Sequence, residues 1–470
     1  MFDLSISLSQ AFHLLPTSLL ATEPSVDYGP LVLTGVLLSL VTVYITSKLG
    51  GELSKRLNLP PVLGELVGGV VVGISVLHLL MFPENSAAAT DSVIMRGLQL
   101  MGNLDIEAMI HVFQSQSEVI SVLAELGVIV LLFEIGLESD LRELTKVGYQ
   151  AAVVAVVGVV APFSLGTIGL ISLFHVAVIP AVFAGAALTA TSIGITSKVL
   201  SELGHLKSTE GQIIVGAAVI DDVLGIIVLA VVASLAKTGE VDLLNVVYLI
   251  VSASAFLLGA IFLGKFFNKS FVAIADKLQT RGALLIPAFT FALVMAFLAN
   301  AIHLEAILGA FAAGLVLDET DKRKELDQQV MPIADILVPI FFVTVGARAD
   351  LSVLNPAVAE NRAGLIIAAF LITVAIIGKL MTGWVVFGKP GINRAAIGVG
   401  MIPRGEVGLV FAGIGSASGV LDRPLEAAII VMVILTTFLA PPLLQLTLKD
   451  ADAAEAEPEG VPAELTAVPE

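Results

Sequence analysis

Residues 211–236 read GQIIVGAAVIDDVLGIIVLAVVASLA, an apolar run broken near its centre by two adjacent carboxylates, Asp221 and Asp222. A helix crosses a bilayer in about 20 residues at about 1.5 Å rise each, so this run is long enough to span one. Counted from Gly211, Asp221 stands about 15 Å along the helix axis, near the bilayer midplane. An ionised side chain at that depth costs about 3 kcal/mol or more and by default marks an ion or proton pathway. Successive helical residues point about 100° apart, so the two aspartates cannot do the same job. One is placed to meet a partner on another helix while the other faces a cavity.

The rest of the chain has the same character. Of its 470 residues 57% are hydrophobic and only 14% charged, which makes it a polytopic, all-α membrane protein. Thirteen apolar spans are expected, at about 29–49, 59–80, 120–140, 151–174, 180–203, 211–236, 243–268, 283–302, 304–317, 332–348, 363–387, 394–418 and 424–448. Only the segment 300–305 divides the eighth from the ninth. The 42 glycines suit close helix packing in lipid. With no cysteine, disulfide and thiolate chemistry are excluded; the six histidines are scattered without metal-ligand spacing, and no cofactor is expected. Nucleic acid is not an expected partner; the bilayer is. Residues 1–28 hold no Lys or Arg, unlike the start of a secretory signal, and read as an N-terminal segment forming an interfacial amphipathic helix. Residues 29–448 form the membrane domain, and the acidic, Ala/Pro-rich residues 449–470 read as a disordered cytoplasmic tail.

The basic residues orient the spans. With the N-terminus outside and the C-terminus cytoplasmic, seventeen Lys and Arg fall on the cytoplasmic side and five on the other. The remaining two of the 24, Lys379 and Arg404, fall inside spans. Lys379 is about ten residues from the end of its span, too deep to snorkel, so it requires a buried anion; Asp221 and Asp222 lie at matching depth. Arg404 sits in GMIPRGEVG, where Pro403 removes a backbone donor and Gly405 loosens the chain, so 402–406 reads as a break in the twelfth span that also carries Glu406. In the fifth span Thr189, Ala190, Thr191 and Ser192 occupy the midplane, where hydroxyls satisfy freed backbone groups or offer oxygens to a cation. Two interrupted spans seven crossings apart point in opposite directions, the pattern of an inverted-repeat transporter with repeats at about 29–236 and 283–448. Glu65, Glu125, Glu134, Asp335 and Glu406 are expected to be structural.

The segments LPPVLGELVGGVVVG, LGVIVLLFEIGLESDL, TATS, AAVIDDVLGI, PIFFVTVGARADL, GKL and PRGE, in that order, resemble bacterial sodium/proton antiporters of the second monovalent cation:proton antiporter family, Asp-Asp type. The resemblance covers nearly all of residues 29–448. It implies a homodimer, each protomer holding a dimerisation panel and a six-helix core with two crossed discontinuous helices. It also implies that Asp222 binds Na⁺ or the proton, that Asp221 pairs with Lys379, and that Thr189 to Ser192 and Met401 to Glu406 form the unwound crossing. The expected activity is exchange of Na⁺ or Li⁺ for H⁺, electrogenic, by alternating access. The expected cation ligands are Asp222, the Thr191 or Ser192 hydroxyls and backbone carbonyls of the broken helix, hard oxygens that suit a small alkali cation. The chain departs from the potassium-efflux relatives, having no Gly-rich nucleotide-binding segment after Lys449. The expected location is the bacterial cytoplasmic membrane, or the thylakoid in a cyanobacterium. A K⁺/H⁺ antiporter of the same fold is the nearest alternative. An intramembrane aspartyl protease is a distant one, because it needs carboxylates facing each other from different helices.

Overall fold

The computed structural model describes residues 28–83, 88–102, 105–238, 241–387 and 391–456. The expected interfacial helix before residue 28 and the last fourteen residues of the tail lie outside them. The described residues contain helices and no strand. In chain order the helices are α1 (Gly29–Arg56), α2 (Pro61–Val72), α3 (Val93–Gly102), α4 (Ile106–Glu138), α5 (Leu141–Lys146) and α6 (Gly148–Phe174). Then come α7 (Val178–Ala187), α8 (Ile193–Glu202), α9 (Thr209–Thr238), α10 (Leu243–Ala275), α11 (Leu285–Ala301) and α12 (Ala306–Asp318). The last are α13 (Arg323–Ala347), α14 (Ala359–Trp384), α15 (Arg394–Gly400), α16 (Glu406–Ala417) and α17 (Arg423–Ala456).

Eight of these are long and apolar enough to cross a membrane: α1, α4, α6, α9, α10, α13, α14 and α17. Five shorter apolar helices, α2, α7, α11, α12 and α16, complete the set. Several boundaries differ from the hydropathy reading. The second expected span stops as a helix at Val72, because the chain turns at Gly73, where an added Cβ would lie 2.3 Å from the Ala347 carbonyl oxygen. The backbone then folds back on itself, with Leu79 and Leu80 donating to the Val72 carbonyl. Helices α4 and α13 begin well before their apolar windows, and α17 continues past residue 448 to Ala456. Helix propensity extends past the apolar window wherever a polar turn can be solvated, so hydropathy marks the lipid-embedded part and not the helix end.

The helices sort into two packed groups. In one, α4 packs on α12 and α13, and α2 on α1 and α13. In the other, α14 packs on α17 and α6, α9 on α6, and α16 on α7 and α17. Helix α10 bridges between them, touching α12 and α9. Small residues set the close approaches: a Cβ on Gly136 would lie 2.4 Å from the Phe311 carbonyl oxygen, and one on Gly314 would lie 2.3 Å from that of Phe133. Lipid tails are as apolar as leucine, so such tight backbone packing supplies the association that hydrophobicity alone cannot. The second group is the one that holds the interrupted helices.

Candidate ion-binding site

Helix α7 ends at Ala187 and α8 resumes at Ile193; α15 ends at Gly400 and α16 resumes at Glu406. The two unwound segments, 188–192 and 401–405, cross and hydrogen-bond to each other. Ser192 N donates to the Pro403 carbonyl at 2.8 Å, Thr191 Oγ1 to the Met401 carbonyl at 3.2 Å and Thr196 Oγ1 to the Gly400 carbonyl at 3.0 Å. Thr437 Oγ1, from α17, donates to the Arg404 carbonyl at 2.5 Å. Peptide groups freed by unwinding are thereby satisfied inside the protein, as they must be where water is excluded. The crossing is tight: a Cβ on Gly405 would lie 2.9 Å from Ser192 Oγ and 3.0 Å from its Cβ.

The charges gather around this crossing. Asp221 and Lys379 are both fully buried, with Nζ 3.0 Å from Asp221 Oδ2. Lys379 also donates to the Thr189 carbonyl at 2.8 Å. Arg404, fully buried, donates through Nη1 to the carbonyls of Thr189 at 3.0 Å and Ala190 at 2.6 Å. Both cations therefore sit at the C-terminal end of the half-helix α7, where the unpaired carbonyls and the macrodipole carry partial negative charge. Space for the lysine comes from Gly158 on α6, where a Cβ would lie 3.1 Å from Nζ.

Asp222 turns elsewhere. It is 4% exposed and lines a small cavity with Ala190, Thr191, Ser192, Gly405 and Glu305. The cavity, about 10 Å³, has room for about one water-sized particle. Thr189 is not in its lining; that hydroxyl donates to the Ala186 carbonyl at 2.7 Å. The residues picked out in the sequence thus divide in two: Asp222, Thr191, Ser192 and Ala190 around the cavity, and Asp221, Lys379, Arg404 and Thr189 in an ion-paired cluster behind it. Pro403 sits in the crossing as a carbonyl acceptor; the Glu406 side chain lies outside the described residues. Gly158, Thr196, Thr437 and Glu305 were not legible as site residues. Each is a common residue type in an ordinary apolar or loop context, with no local signal for what it meets.

A model of sodium/hydrogen exchangers, described as transmembrane, matches residues 37–450. The chain belongs to the sodium/hydrogen exchanger family. It is 62% identical to the high-affinity Na⁺/H⁺ antiporter NhaS3 of Synechocystis sp., over 94% of this chain and 96% of that one. It is 32% identical to the Na⁺/H⁺-K⁺ antiporter GerN of Bacillus cereus, over 88% and 96%. Among solved structures, the sodium/proton antiporter MjNhaP1 of Methanocaldococcus jannaschii superimposes with a TM-score of 0.57 at 16% identity, covering 90% of this chain and 97% of that one. The expected fold class holds: an all-helical, multi-pass membrane transporter with two crossed interrupted helices, and not an enzyme.

Proposed function

We propose that this family member exchanges Na⁺, or Li⁺, for H⁺ by alternating access, with the cation and the proton competing for Asp222. The observation that carries this reading is the division of labour within the adjacent pair. Asp221 is neutralised by Lys379 at 3.0 Å, whereas Asp222 lines a cavity of one-particle size beside the Thr191 and Ser192 oxygens. Hard oxygen donors of this kind suit an alkali cation, and a carboxylate among them holds either the cation or a proton. Binding one expels the other, which is the coupling. The resemblance to a high-affinity Na⁺/H⁺ antiporter over almost the whole chain supports Na⁺ as the cation.

In this reading the Asp221–Lys379 pair opens as Asp222 loads, so that Lys379 carries a further proton and the exchange is electrogenic. The protein crosses the membrane thirteen times, counting each interrupted helix once, with the N-terminus outside and the C-terminus inside. Two copies associate through the first helix group, and the second group moves against it around a nearly fixed site. The membrane is the cytoplasmic one, or the thylakoid in a cyanobacterium.

The test is purified protein in liposomes with an imposed pH gradient and a fluorescent pH reporter. Added Na⁺ or Li⁺ is expected to collapse the gradient in wild type and not in Asp222→Asn. A response to K⁺ alone would replace Na⁺ as the substrate, and no response to any alkali cation in folded wild type would overturn the exchange reading.

A further inference from the structure

The cavity at Asp222 has a second carboxylate in its wall, Glu305, and this residue comes from the other helix group. Glu305 occupies the N-cap of α12 without acting as a cap: its side chain accepts no hydrogen bond from the helix's first turn. Glutamate is also a poor N-cap, since Ser, Thr, Asp and Asn fit that geometry far better. Although its charge suits the positive end of the α12 dipole, a capping bond therefore does not explain a carboxylate there.

Depth does. Asp318 ends α12 and Thr209 begins α9, and both helices meet α5 at that side of the membrane. Measured from that side, Glu305 lies 13 residues along α12 and Asp222 13 residues along α9, each about 20 Å up at about 1.5 Å per residue. The two carboxylates thus reach the same level, with Asp222 enclosed and Glu305 exposed at the rim. Towards the opposite end of α12 a larger cavity, about 350 Å³, holds no carboxylate; Leu144, Val219, Phe311 and Leu315 are among its apolar walls. Of these two cavities, the one at Asp222 has the acidic walls.

We propose that Glu305 is a cation-capturing residue of the exchange reaction, acting only on the side of the membrane to which the Asp222 cavity opens. This rests on the exchange reading above. A carboxylate at the mouth concentrates alkali cations there and hands them to Asp222. Because α12 and α9 belong to the two groups that shift against each other, Glu305 and Asp222 line one cavity only in this state. The apparent cation affinity is then higher on this side than on the other.

The chain has no cysteine, so a single Glu305→Cys can be modified cleanly. In liposomes, membrane-impermeant thiol reagents of opposite charge are applied to Glu305→Cys, alongside Glu305→Gln, and the Na⁺ KM is measured with Na⁺ supplied from each side. Loss of one partly screened charge is expected to raise the KM about three- to tenfold on one side, with the maximal rate little changed. Coupling an anionic reagent to the introduced thiol is expected to restore the KM, and a cationic one to raise it further. A KM unchanged by Glu305→Gln, raised equally on both sides, or indifferent to reagent charge would overturn the proposal. Cation-dependent thermal stabilisation of detergent-solubilised Glu305→Gln reads Na⁺ capture even where no proton moves, so a failure of exchange is distinguished from a failure of this role.

Discussion

Lys379→Gln isolates the energetic role of the buried ion pair. Lys379 and Asp221 are each fully buried and 3.0 Å apart, and the lysine is the charged partner bonded to that carboxylate in the structure. Removing it strands Asp221, whose Oδ1 has no hydrogen-bond partner among the described residues. Stranding one member of a buried pair costs about 3–5 kcal/mol, whereas exchanging both for neutral groups is often nearly neutral. The double variant Asp221→Asn/Lys379→Gln should therefore recover most of what Lys379→Gln loses, with a coupling of about 2 kcal/mol or more. Read by circular dichroism of purified protein, Lys379→Gln should melt lower by about 6–10 °C at about 2 °C per kcal/mol, and the double variant within a few degrees of wild type. A double variant that melts as low as the single one would refute the argument that the loss comes from an unpaired charge. It would point instead to the lost hydrogen bond to the Thr189 carbonyl.

Other consequences follow from the same geometry. If Lys379 carries a proton, Lys379→Gln should also make residual exchange electroneutral; a membrane-potential dye that still reports charge movement would locate the second proton elsewhere. Gly158→Ala introduces a Cβ 3.1 Å from Lys379 Nζ and should lower both melting temperature and transport rate, costing about 1–2 kcal/mol, with Gly158→Val worse. Arg404→Gln removes the charged donor to two carbonyls at the end of α7 and should cost about 2–3 kcal/mol in thermal denaturation, while Arg404→Lys, which keeps the charge without the planar fork, recovers only part.

Much of this was legible in the sequence, for physical reasons that apply residue by residue. Hydropathy exposed the membrane domain because a bilayer tolerates few other patterns. The midplane charges Asp221, Lys379 and Arg404 stood out because each is expensive there. The sequence narrowed the partner of Lys379 to two neighbouring aspartates, and the structure joins it to Asp221 while Asp222 lines the cavity. It could not say which cation serves which helix end, since that depends on where two breaks 210 residues apart meet, as Thr191 and Met401 do. Glu305 and Gly158 left no trace in the sequence: a rim carboxylate looks like a loop charge, and one glycine among 42 carries no signal for the lysine it accommodates. Helix ends beyond the apolar windows, at α4 and α17, were missed because hydropathy does not report helix outside lipid.

Competition at a single carboxylate is tested most directly by the Na⁺ dependence of exchange across about pH 6 to pH 9 in liposomes. Displacement of the Asp222 proton alone requires the Na⁺ KM to rise about tenfold per unit fall in pH on the acid side of the site's titration, and more steeply where the Lys379 proton is displaced with it, at an unchanged maximal rate. A constant KM with a maximal rate that varies with pH would mean that the proton acts somewhere other than Asp222, and would contradict the mechanism.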